Sequence, residues 1–281
     1  MRTKPGVAIV LATVLASPAA AAPVRLNKQT VDAFELYARL AEERVNRELR
    51  EEAFLWMDRQ AEPHRGELHA KLRDGELVIE KIETPDGKTK VEIPGGMIHH
   101  WVGVTFIPGV TLEQTLAFLQ NYDEHENYYK PEVLEARLLA RDGNRFRVYF
   151  RFFKKKVISA VLNTEHDIVY MPVAARRYYS RSYSTRIAEV EDAGKPSEHE
   201  KPVGNDRGFL WRLYTHWRFE EKDGGTYVQC ETITLSRDIP AGLGWLIGPF
   251  VRSVPRESLT STLANTRAGL QARHGQAASQ K

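Results

Sequence analysis

The stretch IPAGLGWLIGPFVRSVPRESL, Ile239–Leu259, is apolar, holds three glycines and three prolines, and divides a strand-like run from a helix-like one. A dinucleotide loop would need G-x-G-x-x-G inside a βαβ unit. Gly242, Gly244 and Gly248 give G-x-G-x-x-x-G instead, and the flanking strands read as antiparallel. A membrane span needs roughly 20 unbroken apolar residues, and Pro249, Arg252 and Pro255 interrupt this one. What remains is an apolar turn, built on Trp245, Leu246, Ile247 and Phe250, that leads into a helix closing a greasy surface. Pro255 suits the first turn of that helix, where a missing N–H is least costly.

Downstream, PRESLTSTLANTRAGLQAR sets Leu259, Leu263, Thr266 and Leu270 along one side, flanked by the small Ser258, Thr262 and Gly269. A helix packed into a solid core carries a broader apolar face; a narrow one suits a helix with room beneath it. The tail HGQAASQK, residues 274–281, is expected to be disordered.

The surface to be closed lies upstream. In Gly208–Glu220, Phe209, Trp211, Leu213, Thr215, Trp217 and Phe219 share one parity, and Leu210, Arg212, Tyr214, His216, Arg218 and Glu220 the other. Phe146, Val148, Phe150 and Phe152 repeat the pattern against Arg145, Arg147, Tyr149 and Arg151. Such alternation marks antiparallel strands with one buried side. Turns at Asp142-Gly143-Asn144 and Asp223-Gly224-Gly225 join successive strands, and about six or seven strands are expected. The polar run AGKPSEHEKPVGNDRG lacks apolar periodicity and reads as a mobile loop.

Before this sheet, Phe34, Tyr37, Ala41, Val45 and Leu49 recur at helical spacing in one long helix over residues 30–58, with Thr30 as its cap. Residues 76–96 read as a hairpin around Asp86-Gly87. Thr111 caps a short helix carrying Leu112, Leu116 and Leu119.

Strand, short helices, a run of strands and a long terminal helix, with LSRDIP before the apolar turn and VPRESL after it, resemble the START-like superfamily (Bet v 1-like, polyketide cyclase/lipid-transport, SRPBCC proteins) over Met97–Arg273. The resemblance implies an α+β helix-grip fold, a curved antiparallel sheet wrapped on the C-terminal helix with an elongated apolar cavity between them. It implies a binding protein for a lipid or other hydrophobic small molecule, or alternatively a cyclase- or hydrolase-type enzyme in the same cavity. The helix and hairpin of residues 23–95 form an N-terminal extension outside that pattern, and residues 96–273 the helix-grip domain.

Arg2 and Lys4, an apolar run from Val7 to Ala16 and small residues ending near Ala22 make residues 1–22 a secretory signal, so a periplasmic or secreted protein is expected. Removing it leaves about 260 residues and a net charge two units below the full chain's +3. That balance gives no reason to expect nucleic acid. The lone cysteine, Cys230, excludes an intramolecular disulfide and, beside Val228, Thr232 and Thr234, reads as a small packed residue.

No G-x-S-x-G, H-E-x-x-H or P-loop is present, and no catalytic residue, cofactor or metal site is assigned. His99 and His100 face opposite sides of one strand. The clusters around His125 and His166 lack zinc-site spacing and read as solvated loops. Lys154-Lys155-Lys156 is a solvated strand end or a weak basic patch for transient contact with a membrane surface.

The candidate ligand contacts are Phe150, Phe152, Phe209, Trp211, Leu213, Trp217, Trp245, Leu259 and Leu263, which otherwise fill a solid core. Arg181 joins them if its face, Tyr179 to Tyr183, looks inward, with Glu231 as candidate partner; Ser180, Ser182 and Ser184 lie opposite, and spacing does not choose between the faces.

Overall fold

A computed structural model describes residues 24–155, 159–239 and 244–279, with side chains described outside 244–252 and 276–279. The expected signal sequence, residues 1–22, lies outside the described residues.

The described chain begins with β1 (Val24–Arg25) and α1 (Lys28–Glu48). Helix α1 is capped by Asn27, whose Oδ1 accepts the Thr30 N–H at 2.8 Å. The expected cap, Thr30, is inside the first turn and donates its hydroxyl to the Pro94 carbonyl instead. The helix also stops at Glu48, short of the expected Asp58. A 3-10 turn (Trp56–Arg59) and a second helix, α2 (His64–Arg73), occupy the rest. Then come β2 (Val78–Lys81) and β3 (Gly96–Pro108). The Asp86–Gly87 turn forms, closed by mutual Asp86–Thr89 backbone bonds of 2.9 Å, but β2 pairs with β3 rather than with a second hairpin arm.

Helix α3 (Leu112–Leu119) is capped by Thr111 as expected, through a reciprocal bond with Gln114. A 3-10 turn (Tyr122–Glu124) and α4 (His125–Tyr128) lead into the strands β4 (Val133–Asp142), β5 (Arg145–Lys155), β6 (Ser159–Ala174) and β7 (Arg177–Glu191). Next are β8 (His199–Glu200), β9 (Asn205–Asp206), β10 (Arg212–Lys222), β11 (Gly225–Arg237) and α5 (Gly244–Ser279). Between β10 and β11, Asp223 and Gly224 take φ of 56° and 74°, the paired positive values of a tight hairpin turn.

The main sheet runs β2-β3-β11-β10-β7-β6-β5-β4, antiparallel throughout, with β8 pairing β7. Helix α5 crosses one half of it, against β3 and more lightly β11 and β2. This is the helix-grip architecture, an open curved sheet closed on one side by the terminal helix.

Two further expectations are corrected. The polar run expected to be mobile contains β8 and β9, and β9 pairs with β1. Charge holds it where apolar periodicity is missing: Lys201 and Arg207 both reach Glu189 and Glu191. Helix α5 begins at Gly244, not Pro255, so the apolar stretch is helical from that point. Pro255 costs the Val251 carbonyl its intrahelical donor, yet the helix runs through it. It continues to Ser279 where a disordered tail was expected.

Candidate functional site: the concave face of the sheet

Strand parity and register divide the side chains between two faces. The concave face, under α5, carries Trp101, Gly103, Thr105 and Ile107 on β3, and Val228, Cys230, Thr232 and Thr234 on β11. It continues with Leu213, Thr215, Trp217 and Phe219 on β10, Tyr178, Ser180, Ser182 and Ser184 on β7, and Phe146, Val148, Phe150 and Phe152 on β5. Helix α5 can approach β3 because position 103 is glycine. A Cβ there would come within 2.5 Å of Leu263 Cδ1 and 3.2 Å of Leu259 Cδ2. Leu259, Leu263 and Leu270 seal that half with Val228, Cys230, Phe219 and Ile107 in one cluster. The other end of the roof is tied by Tyr129, whose hydroxyl bonds Thr266 at 2.9 Å.

The remaining half is less covered. Phe150 and Phe152 stack with centroids 5.3 Å apart, and Trp217 stacks on Phe219 at 6.1 Å. Phe150, Phe152, Trp217, Leu213, Thr215, Thr232 and Trp101 are only half-buried although they stand on the inner side of a curved sheet. They border a strip of small hydroxyls. Ser182 lies across from Thr215, Thr215 from Thr232, and Thr232 from Trp101, one continuous row.

His166 sits in this strip, buried, with burial holding its pKa down to about 4. Its Nε2–H donates to Thr164 Oγ1 at 3.0 Å, because that hydroxyl itself donates to the Phe150 carbonyl at 3.2 Å; Nδ1 is left to accept from Ser182 Oγ at 3.4 Å. His166 and His125 were both expected on solvated loops. Both are buried, His125 against the Leu119 carbonyl at 3.0 Å. Cys230 is packed beside Trp217, and burial together with the Glu231 charge raises its thiol well above the ordinary range, the opposite of an activated nucleophile.

The expected contacts therefore separate. Phe150, Phe152, Trp217, Leu259 and Leu263 share the concave cluster, and Leu213 lies on the same face. The side chain of Trp245 is outside the described residues. Phe209 lies in the segment leading into β10, half-buried. Trp211 is a correction: it precedes β10, its Nε1–H donates to Asp206 Oδ1 at 2.9 Å, and it packs with Phe34, Tyr37 and Ala41 of α1 on the other side of the sheet.

Arg181 is a second correction. The tyrosine side of β7 faces outward and the serine side inward. Arg181 pairs with Glu42 of α1, and Glu231 pairs with Arg44 and His100. Sequence reading missed Trp101, Thr232, Ser182 and His166. The available signal is the Ser180-Ser182-Ser184 series, whose parity does not say which side is inward.

The convex face is a charged interface with α1. Arg218 and Glu231 are 0% and 1% exposed. Arg218 reaches Glu48 and the Phe54 carbonyl, the latter at 2.7 Å. The Tyr37 hydroxyl bonds His100 Nδ1 at 2.8 Å, and His100 Nε2 bonds Glu231 at 2.8 Å. Burial pushes the Glu231 carboxyl up, but the His100 bond and the Arg44 charge outweigh it and hold the group well below the usual carboxylate range.

No protein-family model and no curated protein matches the chain. Solved structures do. A STAR-related lipid transfer protein fragment from Xanthomonas axonopodis is 13% identical over 69% of this chain and 98% of that one, TM-score 0.44. Human STARD10 is 9% identical over 74% and 80%, TM-score 0.42. The Zhui aromatase/cyclase from Streptomyces is 11% identical over 63% and 96%, TM-score 0.40. The chain's own strand order and closing helix give it a helix-grip fold.

Proposed function

We propose that this is an exported binding protein that holds a lipid or other hydrophobic small molecule between the concave face and α5. The observation that carries it is the half-buried aromatic surface of Phe150, Phe152 and Trp217, beside the half of the concave face that the described leucines of α5 seal at β3. Burial of apolar surface at about 25 cal/mol per Å² can hold a lipid-sized molecule without an ion pair, and pockets of this kind are largely apolar with few polar groups. The signal-like N-terminus supports export. Loading and release by transient contact with a membrane surface belong to the same reading. No helix among the described residues is long and apolar enough to cross a membrane. Native mass spectrometry of protein purified from its own host, with extraction of bound organics, is the test. A stoichiometric co-purifying hydrophobe is expected; protein that stays empty and takes up none of a panel of lipids and sterols would overturn the proposal.

A second reading, a cyclase or hydrolase acting on the same face, draws on His166. The imidazole is held neutral by burial and accepts from the Ser182 hydroxyl, the arrangement of a base beside a nucleophile. Turnover of a naphthyl ester that disappears in Ser182→Ala and in His166→Gln would favour it, and absence of turnover removes it.

A further inference from the structure

Trp101 supplies a polar group that the protein leaves unused. Its ring stands on the concave side of β3, packed against the main cluster, and its Nε1 is shut off from solvent with no hydrogen-bond partner among the described residues. Further along the same side of the strand, the buried Thr105 hydroxyl is also without a partner among the described residues. Buried donors almost always find an acceptor in a folded protein, and an indole N–H can only donate. The side of the sheet it faces is the one left half-covered, with Thr232 directly across from Trp101, then Thr215 and Ser182 in the same row.

The charge around this row narrows the chemistry. The charged groups on this side of β5 and β7, Lys154 and Glu189, stand toward the strand ends. Each is already paired, Lys154 with Glu132 and Glu189 with Arg207 and Lys201. The arginines at this level, Arg181 and Arg218, belong to the convex face. Among the described side chains on this side of β5, β7 and β10, no unpaired cation stands beside Trp101, so a carboxylate or phosphate brought there would enter an apolar setting without a partner, which is strongly unfavourable. A neutral oxygen needs only the one donor.

Resting on the binding reading above, we infer that the ligand is an uncharged hydrophobe bearing a carbonyl oxygen, which the Trp101 Nε1–H receives. The hydroxyls of Thr232, Thr215 and Ser182 accommodate further oxygens along the row. A plain hydrocarbon would leave the donor unmet, and an anionic lipid head would find no unpaired cation among the described side chains of β5, β7 and β10.

The test compares two probes of nearly equal size and shape, acetylnaphthalene and ethylnaphthalene, against wild type and Trp101→Phe. The variant keeps an aromatic ring and removes the N–H. Wild type is expected to bind the ketone about tenfold more tightly than the hydrocarbon, the worth of one hydrogen bond. Trp101→Phe should erase that preference through the ketone alone, leaving the hydrocarbon affinity as it was. Infrared spectra of the wild-type complex add a measurement free of any folding defect in the variant: the ketone stretch should fall below its position in hexane. Equal binding of both probes by wild type, or a preference that survives Trp101→Phe, overturns the inference while leaving the binding reading intact. Failure of both probes to bind overturns the binding reading and the inference together.

Discussion

The two faces of this sheet are made from the same strands and do opposite things with polarity. On the convex side, charged groups are taken out of water and every main member finds a partner on α1 or the segment after it: Arg181 with Glu42, Arg218 with Glu48, Glu231 with Arg44. On the concave side the polar groups are small and mostly neutral, and the large side chains are aromatic and half-buried. Buried ion pairs contribute little net stability but are costly to break singly, so the convex face is a fixed, selective joint. The concave face tolerates exposure because its apolar rings and hydroxyls carry no unpaired charge. Carrying α1 on a charged joint leaves the apolar surface for the other side, where a ligand can use it.

The comparison breaks most sharply at Glu231. Glu231→Ala leaves the Arg44 charge and His100 without their shared acceptor, and a loss of about 3–5 kcal/mol is expected from urea unfolding. A loss under about 1 kcal/mol would mean that the joint is not closed to water as its burial indicates.

Acid should act next most strongly. His216 on the convex face and His166 on the concave face are both held down to about 4 by burial, against an ordinary value near 6.5. His216 accepts from the Tyr179 hydroxyl at 2.6 Å, and it feels Glu231 and Glu42, which favour its protonation, and Arg44 and His100, which oppose it. The unfolded chain binds protons on these rings as pH falls through 6.5 and the fold does not, so stability present above 6.5 is lost toward pH 4. The loss reaches about 3 kcal/mol for each ring. Urea midpoints between pH 7 and 4 should fall in wild type and fall less in His166→Gln. A flat profile would contradict the burial of both rings.

How much of this was legible follows from what spacing encodes. The Phe146–Phe152 alternation and the position of Trp217 placed the concave wall correctly, because period two fixes which residues share a side. Parity does not say which side is the inside. In β7 both choices bury something: the tyrosine and arginine set looked like a pocket wall, and only α1, far away in sequence, supplies the carboxylate that draws Arg181 outward. Trp211 failed for a local reason. Gly208 takes a positive φ of 71°, and the strand starts only at Arg212, so a bend interrupts the alternation before the strand begins. Pro255 failed because a proline that reads as a first-turn residue fits, less comfortably, within a helix as well.

On the concave side, Gly103 sharpens the contrast between the covered and uncovered halves. Gly103→Ala sets a methyl 2.5 Å from Leu263 Cδ1 and 2.7 Å from Ile79 Cδ1, so α5 must rise or both side chains must turn. A destabilisation of about 1–3 kcal/mol is expected by urea unfolding. Any shift of α5 should also change probe affinity on the uncovered half. Unchanged stability would show that α5 is not seated on β3.

The smallest effect belongs to Arg181, and it separates the faces most cleanly. The Arg181–Glu42 pair is partly open to solvent, with the guanidinium side chain 39% exposed, so Arg181→Ala should cost no more than about 1 kcal/mol. Its guanidinium also lies 5.6 Å from the Tyr183 ring centroid, a contact of similar modest worth at an exposed site. Because the side chain stands on the convex face, ligand affinity should be the same in Arg181→Ala and wild type, whereas Trp217→Ala should weaken it by removing an aromatic wall. Equilibrium dialysis with a fluorescent hydrophobe measures both. Equal losses in the two variants would mean that a ligand reaches through or around the sheet, and the division of labour between its faces would not hold.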